Sequence, residues 1–305
     1  MISFLIQRFL QSILVILLVV SGTFLLMRLA PGSPFATERK LPPKVEQTLL
    51  EKYDLDGNLG NQFLSYWGNL LKGQLGYSTK FEGRSVVEIL KQALPKSLLL
   101  GFFSLVVALG LGILLGSYAA MNHQSWRDWI AMFLAFAGIS LPVFVIAPLV
   151  VLLLGMQFRI FPVAGWGTLA HMFLPVLCLG GYYAAYCSRL MRASMLEVLD
   201  KSYIRTARSK GLRELYVIYK HAFKNAVLPL VSYSGPLAAH LFTGSMIVEE
   251  FFKIPGMGSF FVNGVLNRDV FLVGGSVIVY CTLLLAMNLF VDLLYVALDK
   301  RIKLW

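Results

Sequence analysis

Charge is what this sequence has least of. Only 14% of its 305 residues are Asp, Glu, Lys or Arg, where a soluble globular chain carries about a quarter. Together with a mean hydropathy of +0.71, that scarcity excludes an ordinary soluble domain and leaves a membrane protein. The dipeptide Gly-Lys does not occur, so there is no G-x-x-x-x-G-K-[ST] phosphate loop and the chain does not hydrolyse ATP alone. Neither H-E-x-x-H nor a G-x-S-x-G elbow is present, which removes a zinc-protease helix and a hydrolase nucleophile. The three cysteines, Cys178, Cys187 and Cys281, lack C-x-x-C spacing and fall in apolar runs. They read as small core residues, not as a disulfide framework or a metal site. The histidines, His123, His171, His221 and His240, are scattered; no metal or cofactor is expected to be bound by this chain.

What the sequence has in place of charge is long apolar runs. A helical span needs roughly 20 apolar residues to cross a hydrocarbon core about 30 Å thick. Six segments qualify: Phe9–Met27, Ser97–Met121, Trp129–Gln157, Ala170–Met191, Val227–Phe251 and Val273–Leu298. The expected fold class is therefore all-α and polytopic. The first run is longer than a signal-peptide core and no A-x-A-like site follows it, so it is read as a retained span. The third contains Pro142 and Pro148. Each proline lacks a donor and frees a carbonyl a turn earlier, a defect tolerated in lipid only beside other helices, hydroxyls or a watery cavity. Both prolines are candidates for the wall of a translocation path, with a simple kink as the alternative. His240, inside the fifth run, is a further candidate, against a packed neutral imidazole. Glu249 and Glu250 close that run and read as a solvated helix end, while Asp292, late in the sixth, reads as reaching the cytoplasmic interface or pairing with a nearby Arg.

Orientation follows from the basic residues. Between positions 188 and 226 there are nine Lys/Arg against three acidic residues, net +6, which holds this loop in the cytoplasm. Both termini then lie on the same side, consistent with Arg8 and with Lys300, Arg301 and Lys303. The long segment from Pro31 to Lys96 falls outside and balances nine basic residues with seven acidic ones. It reads as a small cap of short helices. Val45, Leu49 and Tyr53 mark the first; Phe63, Trp67, Leu70 and Leu71, ending at Gly73, mark the second; the capping box of Ser85 and Glu88 opens a third. The divisions are thus residues 1–30, a first span; 31–96, the external loop; and 97–305, a five-helix core with a cytoplasmic loop at about 192–226.

That loop is the unusual part of the chain. In "YIRTARSKGLRELYVIYKHAFKNA", Ile204, Leu212, Leu215, Tyr219 and Ala222 fall near one helical face, with Arg205, Arg208, Lys210, Arg213 and Lys220 mostly elsewhere. Gly211 interrupts the pattern, which predicts two short helices with a turn near "SKGL". A basic amphipathic segment of this kind lies on anionic lipid or docks a cytoplasmic partner. Nucleic acid is disfavoured, since no base-stacking module accompanies it.

"YIRTARSKGL" followed by "HAFKNAVLPL" resembles the cytoplasmic loop of permease subunits of ATP-binding-cassette importers, in their peptide-transport branch. Arg205, Thr206, Ala207 and Gly211 fit the E-A-A-x-x-x-G frame of that family, with His221, Ala222, Asn225, Ala226 and Pro229 in the branch-specific continuation. Arg205 and Thr206 depart from the general consensus, and the Leu-Pro comes later after the glycine. "MRLAPGSPF", "GISLPVFVIAP" and "TGSMIVEEFFKIPGMGSFFVNGVLNRD" also resemble B-type permeases of oligopeptide importers, so the likeness runs nearly end to end.

The resemblance implies the six-helix permease class of type I (MetI-like) importers in a bacterial inner membrane. It implies a second, C-type permease, two cytoplasmic ATPase subunits that use ATP and Mg, an external peptide-binding protein and a peptide substrate. Arg205, Thr206, Ala207, Lys210, Gly211, Leu212, His221 and Asn225 would then couple to the ATPase. Pro255, Gly256, Gly258, Asn267, Arg268 and Asp269 would contribute to an outer gate or meet the binding protein. Related permeases for dipeptides, murein peptides, nickel chelates or haem share the architecture and remain alternatives. From another class, so does a membrane scaffold whose basic loop binds lipid.

Overall fold

The computed structural model describes residues 2–29, 58–81 and 83–298, and is helical with no strand among them beyond an isolated bridge between Tyr77 and Ser85. The expected first external helix at Val45 to Tyr53 lies outside the described residues, as do Lys300, Arg301, Lys303 and the side chain of Asp292. Among the described residues, four helices are long and apolar enough to cross a membrane. They belong to α1 (Ile2–Leu29), α3 (Val86–Met121), α6 (Leu169–Leu199) and α12 (Val270–Leu298).

The other two expected spans are composite. The third consists of α4 (Trp126–Ser140), then α5 (Val143–Val150), which runs into a π-helical stretch, Val151–Gln157. The break falls at Leu141 and Pro142, where the ring cannot donate and holds its predecessor extended. The fifth consists of α9 (Leu228–Phe242) and α10 (Met246–Phe251), separated at Thr243–Ser245, where Gly244 has φ +88°.

The external helix α2 (Leu59–Leu71) stops before Gly73, at φ +74°. Its Phe63 and Tyr66 rings lie 5.4 and 5.3 Å from Phe24, fastening it to the C-terminal part of α1. The capping box at Ser85 forms, with Glu88 N–H donating to Ser85 Oγ and Ser85 N–H to Glu88 Oε2. It does not open a separate third cap helix. It opens α3 itself, which continues through Pro95, so the boundary drawn at 96/97 falls inside one helix. The charges at Lys91 and Lys96 resemble an interface in the sequence, but here they ride on the outer turns of a helix longer than the membrane is thick.

The core is the seam between α3 and α6. Ser97, Gly101, Ser104, Ala108, Gly112 and Gly116 are all buried and recur every three or four residues along α3, which brings small side chains onto one stripe. A methyl on Gly112 would stand 2.3 Å from Cys187 Cβ, and one on Gly116 2.4 Å from the Ser188 carbonyl. Close approach of backbones through small residues gives dispersion contact where lipid offers no hydrophobic contrast. Cys178 and Cys187 are buried free thiols within this packing, and Cys281 is free and half-buried.

Candidate functional site

Three places gather the sequence's candidate residues. In the basic loop, α6 gives way to α7 (Ser202–Ser209), and residues 214–226 form an irregular helical segment, α8. Within α8 the hydrogen bonding widens to a π-helix over Val217–Ala222. The turn between α7 and α8 is closed by the Gly211 N–H donating to the Arg208 carbonyl at 2.9 Å, with Gly211 at φ +75°. That is the left-handed conformation in which a Cβ costs about 1–2 kcal/mol. A Cβ there would meet nothing within 4 Å, so the glycine serves the backbone and leaves open space beyond it. Arg208 grips Glu214 across the turn through Nε and Nη2, the shortest contact being 2.6 Å. This hydrogen bond to Glu214 raises the guanidinium pKa above its ordinary value.

The loop has an inner and an outer face, but not those of a single helical wheel. Ile204, Ala207, Val217, Ile218, Ala222 and Ala226 are buried against the bundle. Leu215 and Tyr219, which the wheel places beside Ile204, are 69% and 79% exposed. The turn at Gly211 and the wider π-helical turn shift the register between them. The outer face therefore carries an apolar crest of Leu212, Leu215, Tyr216 and Tyr219, with Arg205, Lys210, Arg213 and Lys220 also exposed. Of the coupling candidates, Arg205, Thr206, Lys210, Gly211 and Leu212 are on the surface, and His221 is half-buried against the Tyr216 ring. Asn225 is exposed and ties α8 to α7 by donating to the Tyr203 hydroxyl at 3.0 Å. Ala207 instead faces inward.

A cluster that sequence reasoning missed braces this loop. Arg192 donates from Nε to Asp128 Oδ1 at 2.7 Å and from Nη2 to Oδ2 at 2.6 Å. The Asp128 side chain is only 5% exposed, and His123 approaches the same pair. Two planar groups in bidentate register, 64 positions apart, lock the start of α4 to the C-terminal end of α6. The only trace in the sequence is an acidic residue in the first turn of an otherwise apolar helix.

The outer turn lies between α10 and α11 (Met257–Leu266). Glu249, expected as a solvated helix end, is fully buried. Its Oε2 accepts from the Gly258 N–H at 2.7 Å, while the Met257 N–H donates to Ser97 Oγ of α3 at 2.8 Å. A Cβ on Gly256 would fall 2.4 Å from Glu249 Oε2 and 2.6 Å from Ser97 Oγ; one on Gly258 would fall 2.7 Å from the Met246 Cα. Gly256 and Gly258 are thus packed inward, not offered to a partner. Asp269 is likewise buried: it accepts from the Ser78 hydroxyl and caps α12 by accepting from Leu272 N–H at 3.1 Å. Pro255 is half-buried, leaving Asn267 and Arg268 as the outward-facing members of that set.

The third place is a cavity of about 640 Å³ within the bundle, bounded by Pro142, Leu179, Tyr182, Tyr183, His240 and Tyr280 among others. It brings Pro142 and His240 together, with the His240 ring 5.7 Å from Tyr183. Pro148 is exposed elsewhere on α5 and does not line it. No group of three His, Cys, Asp or Glu among the described residues could hold a metal.

Residues 112–304 match a family model described as binding-protein-dependent transport system inner membrane component. The chain is 41% identical over 305 residues to the oligopeptide transport system permease protein OppB of Haemophilus influenzae, covering 99% of this chain and 100% of that one. It is 39% identical over 304 residues to the dipeptide transport system permease protein DppB of Bacillus subtilis, covering 100% and 99% respectively. Among solved structures, the crystal structure of an amino acid ABC transporter with histidines aligns with 71% of this chain and 95% of its own, at a TM-score of 0.53 and 16% identity. That last likeness is one of fold.

Proposed function

Because the chain belongs to the family of binding-protein-dependent transport system inner membrane components, we propose how it works. It is a membrane-spanning permease subunit of an ABC peptide importer, similar over its whole length to oligopeptide and dipeptide permeases. It forms half of a translocation path with a homologous C-type permease, and both termini lie in the cytoplasm. Oligopeptide is the preferred cargo, with dipeptide the alternative. An external binding protein delivers the peptide, and two ATPase subunits bind ATP and Mg, so the chemistry of hydrolysis is theirs and this chain's part is mechanical.

The exposed crest on α7 and α8 is the observation that carries the coupling assignment. A row of leucine and tyrosine side chains with arginines and lysines beside it has the composition of a docking surface, aromatic in the middle and cationic around it. Its inner face is keyed into the bundle by Ile204, Val217, Ala222 and Ala226, and its base is braced by Arg192 on Asp128. A push on the crest is therefore delivered to α6 and α4 together. Closure of the ATPase dimer would rock the two permeases between inward-open and outward-open arrangements, with the cavity beside Pro142 and His240 on the path. Asn267 and Arg268 are the residues available to the binding protein outside.

Purification of the complex in mild detergent, wild type beside Gly211→Arg, tests this. Wild type should bring down a second permease and an ATP-binding-cassette ATPase. The variant should insert normally but lose the ATPase and transport-coupled hydrolysis, because a long cation stands in the open space above the turn. Normal transport by Gly211→Arg would remove the coupling assignment. Recovery of wild type alone, under conditions that preserve such complexes, would favour a lipid-docked scaffold.

A further inference from the structure

One face of α6 links the cavity to the cytoplasmic side. Tyr182, Tyr186 and Arg189 stand at i, i+4 and i+7, a single helical stripe. Tyr182 lines the cavity of about 640 Å³. Tyr186, 47% exposed, stacks at a tilt on Tyr233 of α9 with ring centroids 4.7 Å apart. Tyr186 and Arg189 together line a second hollow of about 410 Å³, walled by Met132 of α4 and by Leu190. The stripe thus runs from one hollow into the next over about 10 Å of helix axis.

The chemistry along it is uneven. No Asp, Glu, Lys or Arg lines the inner cavity, and no acidic residue lines the second hollow. Arg192 shares that second hollow but spends its guanidinium on Asp128. Arg189 is exposed and has no hydrogen bond or ion pair to any described residue. Five donors of fixed geometry therefore stand at a hollow with no acidic residue in its lining, an arrangement complementary to a carboxylate or phosphate. The tyrosine hydroxyls add groups that both donate and accept, which suits the N–H and C=O of any peptide bond regardless of side chain.

We propose that Tyr182, Tyr186 and Arg189 form a peptide track along α6, in which Arg189 receives the C-terminal carboxylate as the peptide moves toward the cytoplasm. The proposal rests on the importer reading and gives that path a polarity: hydroxyls hold the backbone within the bundle, and a single cation waits at the inner mouth.

The test uses the assembled, detergent-purified transporter with p-benzoylphenylalanine in place of Tyr186, irradiated with radiolabelled trialanine as the free acid or the C-terminal amide. The free acid should label this chain several-fold more than the amide, and adding Arg189→Gln should bring the two to the same low level, with Arg189→Lys in between. Absence of labelling, equal labelling of acid and amide, or a preference that survives Arg189→Gln would each overturn the track. A phospholipid phosphate is the other source of the same chemistry. It would be seen as phosphatidylglycerol retained by the wild-type complex in native mass spectrometry and lost from Arg189→Gln, with acid and amide labelled alike; that result also overturns the track. Peptide uptake by the wild-type complex in proteoliposomes is measured separately, and its absence would overturn the importer reading itself.

Discussion

The turn between α10 and α11, expected as the outer turn, and the basic loop of α7 and α8 both depend on glycine, for opposite reasons. Gly256 and Gly258 are surrounded: a methyl at either would fall on the Glu249 carboxylate, the Ser97 hydroxyl or the Met246 backbone. Gly211 is surrounded by nothing, and only its φ of +75° demands the missing side chain. The first pair is fixed by what lies around it and the second by its own backbone. The outer turn is built as core, whereas the loop keeps its face clear. A buried, glycine-packed carboxylate and an exposed aromatic crest thus stand in one chain, the former enclosed and the latter open.

The largest expected effect comes from filling the crowded end. Gly258→Val should cost about 3 kcal/mol or more, because the clash is with backbone that cannot rotate away. The melting midpoint of the purified complex should fall clearly. A midpoint equal to wild type would mean that the outer turn yields, and the contrast would collapse. Gly211→Ala is the matching change at the open end. Its strain of about 1–2 kcal/mol is local, so the midpoint should stay close to wild type while peptide-stimulated ATP hydrolysis drops. A loss of stability as large as that of Gly258→Val would show that the loop is core as well. The smallest effect belongs to Glu214→Gln, which removes the carboxylate from Arg208. Both partners are substantially exposed, so the change should be under about 1 kcal/mol and shrink further in high salt, read as the salt dependence of ATPase retention. An effect that ignores salt would place this pair in a drier setting than its exposure indicates.

Much of this arrangement is legible in the sequence. The apolar runs give the long helices, the basic residues mark the loop, and Gly211 marks its turn, because hydropathy, charge and glycine each act locally. What escapes is whatever depends on a neighbour distant in sequence. Glu249 reads as a solvated end because nothing local says that Ser97 and the Gly258 amide will enclose it. Asp128 draws no notice in the sequence because its partner is 64 positions away. Leu215 and Tyr219 are misplaced for a different reason. A helical wheel assumes one helix of constant pitch, and the turn at Gly211 together with the π-helical stretch at Val217–Ala222 breaks that assumption. The register of Ser85 is read correctly while the helix it opens is not, since a capping box signals where a helix begins and carries no information about where it stops.

The single helix Val86–Met121 runs some 54 Å. Its first turns pack with Met257 and Leu272, and from Ser104 to Gly116 it is gripped by α6, which leads directly into the loop at Ser202. A rod of that length acts as a lever. A tilt too slight to disturb any one packing contact at the inner end becomes, at the Ser85 end, a sweep of several ångströms beneath the outer turn.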